Sequence, residues 1–101
     1  MPDARKPKNV ERIQTGVRIE KRILKVLKAV AQHGDMTLGD LLEGIVLHAF
    51  EGKTPFNART LAVIAEFKRL YGLDLDAEDS HELHEPEGAS EERRKEKRHA
   101  R

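Results

Sequence analysis

The apolar positions of this chain change rhythm twice, and the changes divide it into elements. Ile13, Thr15, Val17 and Ile19 alternate with Arg12, Gln14, Gly16 and Arg18. A period of two puts the first set on one face of a strand and the second on the other. β-Branched Ile, Val and Thr suit a pleated backbone, so residues 12–19 predict a short strand with a wet, basic face. From Glu20 the period becomes 3.6: Ile23, Leu27 and Val30 form a stripe opposite Lys21, Arg22, Lys25 and Lys28, which predicts a helix over 20–33. Gly34 is placed to close it. After Asp35-Met36, Thr37 is a suitable N-cap, and Asp40 favours the positive end of a second helix over 38–50. Leu38, Leu41, Leu42, Ile45, Val46, Ala49 and Phe50 give that helix the cleanest pattern in the chain. Gly44 within it costs about 1 kcal/mol relative to Ala, and marks either a close helix crossing or an exposed position. Glu51-Gly52-Lys53 is a break. A third helix is predicted over 54–72, with Thr54-Pro55 as cap and first residue. Asn57 is the alternative cap. Leu61, Ile64, Phe67, Leu70 and Tyr71 form its apolar side, and Gly72 ends it.

The flanks carry no such rhythm. Residues 1–11 read as a flexible basic arm, and residues 76–101 as a disordered tail, first acidic and then basic. From Asp74 to Glu92 there are nine acids and no Lys or Arg; from Arg93 to Arg101 there are six Lys or Arg. Ser90-Glu91-Glu92 offers only a transient helix start, since a short segment without a packing face is marginal in water. No internal repeat is visible. The 101 residues suffice for one domain. With no cysteine, disulfides, thiolate metal sites and cysteine nucleophiles are excluded, which fits a reducing cytoplasm. Apolar runs such as Ile45 to Leu47 and Leu61 to Ala65 fall far short of a membrane span. The polar N-terminus lacks the apolar core of a secretory signal. The expected location is therefore cytoplasmic, with no membrane contact.

Charge changes the picture more than composition does. The formal net charge is +1, yet residues 1–28 hold nine Lys or Arg against three acids, and residues 29–101 hold ten against fifteen. A basic end on a near-neutral chain suggests a polyanionic partner. The predicted strand also lacks a mate: the chain has no second one, and a strand with two helices is too small to bury its own apolar faces. A second copy supplies both, pairing strand with antiparallel strand across a two-fold axis. Such a two-stranded ribbon shows Arg12, Gln14, Gly16 and Arg18 outward. It fits the DNA major groove, where Arg forks onto guanine and Gln onto adenine.

Residues 12–50, with the stretch QTGVRIEKRILKVLKAVAQHGDMTLGDLLEGIVLHAF, resemble the ribbon-helix-helix family of DNA-binding proteins over about two-fifths of the chain. The resemblance lies in the alternating strand, the helix ending in a Gly-containing turn, the capping Thr and the second Leu/Ile-rich helix. It implies a mostly α fold: an intertwined homodimer with a two-stranded antiparallel β-ribbon, here with an extra C-terminal helix. It also implies sequence-specific binding of double-stranded DNA and a role as a transcriptional repressor, with dimers or higher oligomers on the operator. By this resemblance the base-reading positions are Gln14, Gly16 and Arg18, and the phosphate clamp falls on Thr37, Leu38 and Gly39, where free N–H groups and the helix dipole meet a phosphate. Two residues depart from a strong reader. Gly16 has no side chain to offer, which shifts weight to Arg12, and Asp40 brings a negative charge beside the clamp.

Arg5, Lys6 and Lys8 in the arm, with Lys21 and Arg22 at the start of the first helix, are further phosphate candidates; Lys25 and Lys28 read as a solvated face. Each neutralised phosphate adds about −0.9 to the salt slope of binding. Other chemistry finds little support. His81 and His84 stand three apart in a segment without apolar support, not in the spacing of a metalloprotease helix. No Gly-rich phosphate loop or Ser-His-Asp arrangement is present, so no enzyme, cofactor or metal is expected. Phe56, Phe67 and Tyr71 sit at helical spacing and read as core or interface residues. The alternative functions are an antitoxin or plasmid-maintenance protein, which would hold a protein partner through residues 54–101, and a dimeric interaction module that does not bind DNA.

Overall fold

The computed structural model describes residues 7–86. Within them the chain forms three α-helices: α1 (Lys21–His33), α2 (Leu38–Phe50) and α3 (Ala58–Tyr71), followed by a single 3-10 turn at Ala77–Asp79. Helix α1 is central and packs on both others, while α2 and α3 make no close helix–helix contact.

Each helix starts where a side chain takes up orphan N–H groups of the first turn. The Glu20 carboxylate accepts from the N–H groups of Arg22 (2.8 Å) and Ile23 (2.9 Å) ahead of α1. Thr37 Oγ1 accepts from the Asp40 N–H at 3.0 Å and so caps α2. For α3 the cap is Asn57, whose Oδ1 accepts from the Thr60 N–H at 2.8 Å. The helix thus starts at Ala58 and not at the Thr54-Pro55 pair. Residues 54–57 form a bend that leaves Pro55 and Phe56 half-buried, with Phe56 against the core.

All three helices end in the same way. A left-handed residue, the one after the cap in α1 and α2 and the cap itself in α3, is followed by an N–H that reaches back to a carbonyl of the last turn. After α1 this residue is Asp35 (φ 58°), not Gly34, which keeps φ −87°. The Met36 N–H then bonds the Ala31 carbonyl at 2.9 Å. After α2 it is Gly52 (φ 69°), with the Lys53 N–H on the His48 carbonyl at 2.9 Å; after α3 it is Gly72 (φ 67°), with the Leu73 N–H on the Lys68 carbonyl at 2.8 Å. At those two positions only glycine reaches the required φ without strain.

The core is small. Val26, Val30, Ala31 and Leu41 are buried, and Leu27, Ile45, Phe56, Ile64, Phe67 and Leu73 pack around them. The edge of the His33 ring meets Phe67 at 6.3 Å between centroids, and Lys25 Nζ lies 5.9 Å from the centre of the Tyr71 ring. A Cβ added to Gly44 would meet nothing within 4 Å, so no tight crossing forms there within the chain.

The expected ribbon-helix-helix architecture is overturned. The structure is helical, and among the described residues there is no β-strand and hence no β-ribbon. Residues 12–19 are irregular and exposed, with Ile13 82% and Val17 74% accessible. They make no backbone hydrogen bond to another described residue. The physical reason is that alternation describes a strand only when an edge is available to pair with, and the three helices offer none. Arg5, Lys6 and residues 87–101, including the basic run, lie outside the described residues. Residues 76–86 hold more order than their composition suggests. The Asp76 carboxylate accepts from the Glu78 N–H at 3.0 Å, and the Asp79 carboxylate accepts from the Asp76 N–H at 2.9 Å, clamping the 3-10 turn.

Candidate nucleic-acid interface

The positions singled out from the sequence fall into two groups. Arg12 runs alongside the start of α2, and together with Lys28 and Gln32 of α1 and Thr37, Leu38 and Gly39 it lines an open groove of about 870 Å³. The first turn of α2 opens into it. The Thr37 hydroxyl is engaged by the Asp40 N–H, which leaves the amides of Leu38 and Gly39 at the open end of the helix. A positive helix end, a guanidinium and an ammonium on one groove form a setting that attracts an anion. Asp35 and Asp40 line the same groove and weaken that attraction. Lys28 and Gln32 were missed as site residues. Their i, i+4 spacing on one face of α1 was a usable signal, but only the position of α2 shows which face it is.

Arg12 also forms a two-pronged ion pair with Glu43, Nε to Oε2 and Nη2 to Oε1, both at 2.8 Å. The hydrogen bonds to Arg12, opposed by slight desolvation, hold the Glu43 carboxyl below its ordinary range, and the guanidinium is held more firmly charged in return.

Arg18 and Arg22 do not line this groove. Arg18 pairs with Glu85. Arg22 is held by three groups: Glu20 (2.9 Å), the Asp74 carboxylate (2.9 Å) and the Gly72 carbonyl (3.0 Å). Desolvation pushes the Glu20 carboxyl upward, but the N–H groups of Ile23 and Arg22 and the Arg22 side chain outweigh it, so the group stays below the usual carboxylate value. Gln14, Gly16, Lys8 and Lys21 are exposed. A Cβ on Gly16 would meet nothing within 4 Å, so packing does not require glycine there.

Thus Arg12 and the Thr37–Gly39 turn are brought together, whereas Gln14, Gly16 and Arg18 do not join them in one surface groove. Among the described residues no group of three or more His, Cys, Asp or Glu side chains is arranged to hold a metal ion, and His81 and His84 are exposed. Among them, too, no helix is long and apolar enough to cross a membrane. Comparison with known protein families, curated proteins and solved structures finds no match for this chain.

Proposed function

We propose that this chain binds double-stranded DNA as a homodimer and acts as a cytoplasmic transcriptional repressor. The observation that carries the reading is the groove in which Arg12, Lys28 and Gln32 meet the open first turn of α2 at Thr37–Gly39. Cationic side chains and free helix-end amides are the groups that hold a phosphate backbone in register. The exposed segment from Lys8 to Arg18 adds Gln14 and Arg18, the side-chain types suited to base edges. A second copy is supported by the apolar surface that one chain leaves open: Val10, Ile13 and Val17 before α1, and Leu47 and Phe50 on α2. Among the described residues the buried core is four side chains, which is small.

The test is anisotropy of labelled duplexes, first random and then selected from a genomic library, titrated at several salt concentrations. Binding with a slope of several released counterions is expected, and Arg12→Ala with Lys28→Ala should weaken it on every sequence. Absence of binding at low salt overturns the reading.

A second reading, a dimeric interaction module without DNA binding, is favoured by one observation. Arg12, Arg18 and Arg22 are each paired with a carboxylate of the same chain. The same titration separates the two.

A further inference from the structure

Six acids and no Lys or Arg lie between Asp74 and Glu85. A segment of that charge is ordinarily solvated and free of the fold. Here it is tied down at both ends. At its start Leu73 packs on the core, and the Gly72 carbonyl and Asp74 carboxylate take the same Arg22 nitrogen, at 3.0 and 2.9 Å. In the middle, Leu75, the turn at Ala77–Asp79 and Leu83 line an open pocket together with Ile23 and Val26 of α1 and Ile64 and Lys68 of α3. At its end Glu85 reaches Arg18, across 67 residues of sequence. The segment thus carries its carboxylates to two guanidinium groups that flank the start of α1.

We propose that residues 72–85 form an internal strap that competes with DNA: Asp74 and Glu85 occupy Arg22 and Arg18, and the strap must release them before those guanidinium groups can meet phosphate or base. The proposal rests on the DNA-binding reading and adds its regulation. Carboxylate and phosphodiester offer an arginine the same pair of charged acceptor oxygens, so one replaces the other at the same site. The pairs are suited to exchange because they are exposed. Side-chain accessibility is 38% and 39% for Arg18 and Glu85, and 36% and 80% for Arg22 and Asp74. Exposed pairs contribute little and are screened by salt. Release therefore costs little, while a polyanion gains the freed cations. Leu73, packed on the core, keeps the strap beside α1, and because strap and arginines share one chain the competition is intramolecular.

The test compares the full chain with Asp74→Asn/Glu85→Gln and with Glu78→Gln/Glu82→Gln. Both variants remove two charges from the strap, but only the first touches Arg18 and Arg22. Circular dichroism and thermal unfolding verify that each is folded. At low salt the first variant is expected to bind a DNA duplex about three- to thirtyfold more tightly than wild type, and the second much less so. Equal tightening by both would show a general charge effect and overturn the strap. Wild-type binding unchanged in the first variant would overturn the strap and leave the DNA reading intact, whereas no binding by any of the three overturns that reading and the proposal with it. A second measurement does not depend on affinity. The chain has no cysteine, so a nitroxide on His84→Cys labels one site. It should broaden the Arg18 side-chain NMR signal in the free protein and cease to do so when DNA is added. Broadening that persists in the DNA complex, or is absent from the free protein, overturns the proposal.

Discussion

Two regions of this chain are built from the same residue types and end in opposite environments. In α1, Val26 and Val30 are each 7% exposed, whereas Val17, just before the helix, is 74% exposed. The valines do not differ; their surroundings do. Those of α1 recur at a helical spacing that matches α2 on one side and α3 on the other, so their methyl groups leave water together. Val17 alternates with Arg18 and Gly16 on a segment whose Ile13 and Val17 side chains are left exposed. Burial is a property of a side chain and the surface it meets, and periodicity reveals only the side chain's half.

The largest expected effect is in the buried region. Leu41→Ala removes the one buried residue of α2 and should lower unfolding free energy by about 2–5 kcal/mol, read by urea denaturation. Val17→Ala should change it by less than about 0.5 kcal/mol in dilute solution. If a second copy covers the exposed segment, the Val17→Ala effect should grow with protein concentration. An effect equal to that of Leu41→Ala at all concentrations would break the contrast between the regions.

Next in size are the caps that delimit the helical region. Asn57→Ala and Thr37→Ala should each cost about 1 kcal/mol, measured by the shift of the denaturation midpoint. Thr37→Ala should leave the Leu38 and Gly39 amides in place, so its loss of DNA affinity should be slight; a large loss would assign the hydroxyl itself to the ligand.

The junction between the two regions is sensitive to acid. The Glu20 carboxyl is held below its ordinary range in the folded chain. Its contribution is complete above the unfolded value of about 4.3 and is lost as pH falls through the lower folded value. Acid titration of stability should therefore show a component below about pH 4.3 that disappears in Glu20→Gln. An unchanged acid limb in that variant would show that the cap carries no linkage.

The smallest effect is expected at Gly16. No neighbour lies within 4 Å of an added Cβ, so Gly16→Ala should alter stability by less than about 0.5 kcal/mol. A loss much larger than this would mean that the exposed segment is packed in solution.

Much of the helical region was legible because its signals are local. The 3.6-residue stripe from Ile23 to Val30 and the spacing from Leu38 to Phe50 coincide with α1 and α2, and Thr37 caps from its own sequence position. The start of α3 was less so. Thr54-Pro55 and Asn57 both carry start signals, and the placement of Phe56 against the core accompanies the choice of Asn57. Alternation over 12–19 misled because a strand is a statement about two segments, and one segment's pattern does not contain the other. For the site, Thr37–Gly39 could be located from the chain. Their neighbours Lys28, Gln32 and Arg12, and the carboxylates that hold Arg12, Arg18 and Arg22, could not.

What the chain determined by itself is where α1 and α2 begin and end, since capping and backbone freedom act within five residues, and that its first 28 residues carry excess positive charge. Tertiary structure alone decided which of those charges remain available. Glu43 stands 31 residues from Arg12, and Glu85 stands 67 from Arg18. Pairings at such separations depend on how helices pack, because Coulomb attraction acts through space and not along the sequence.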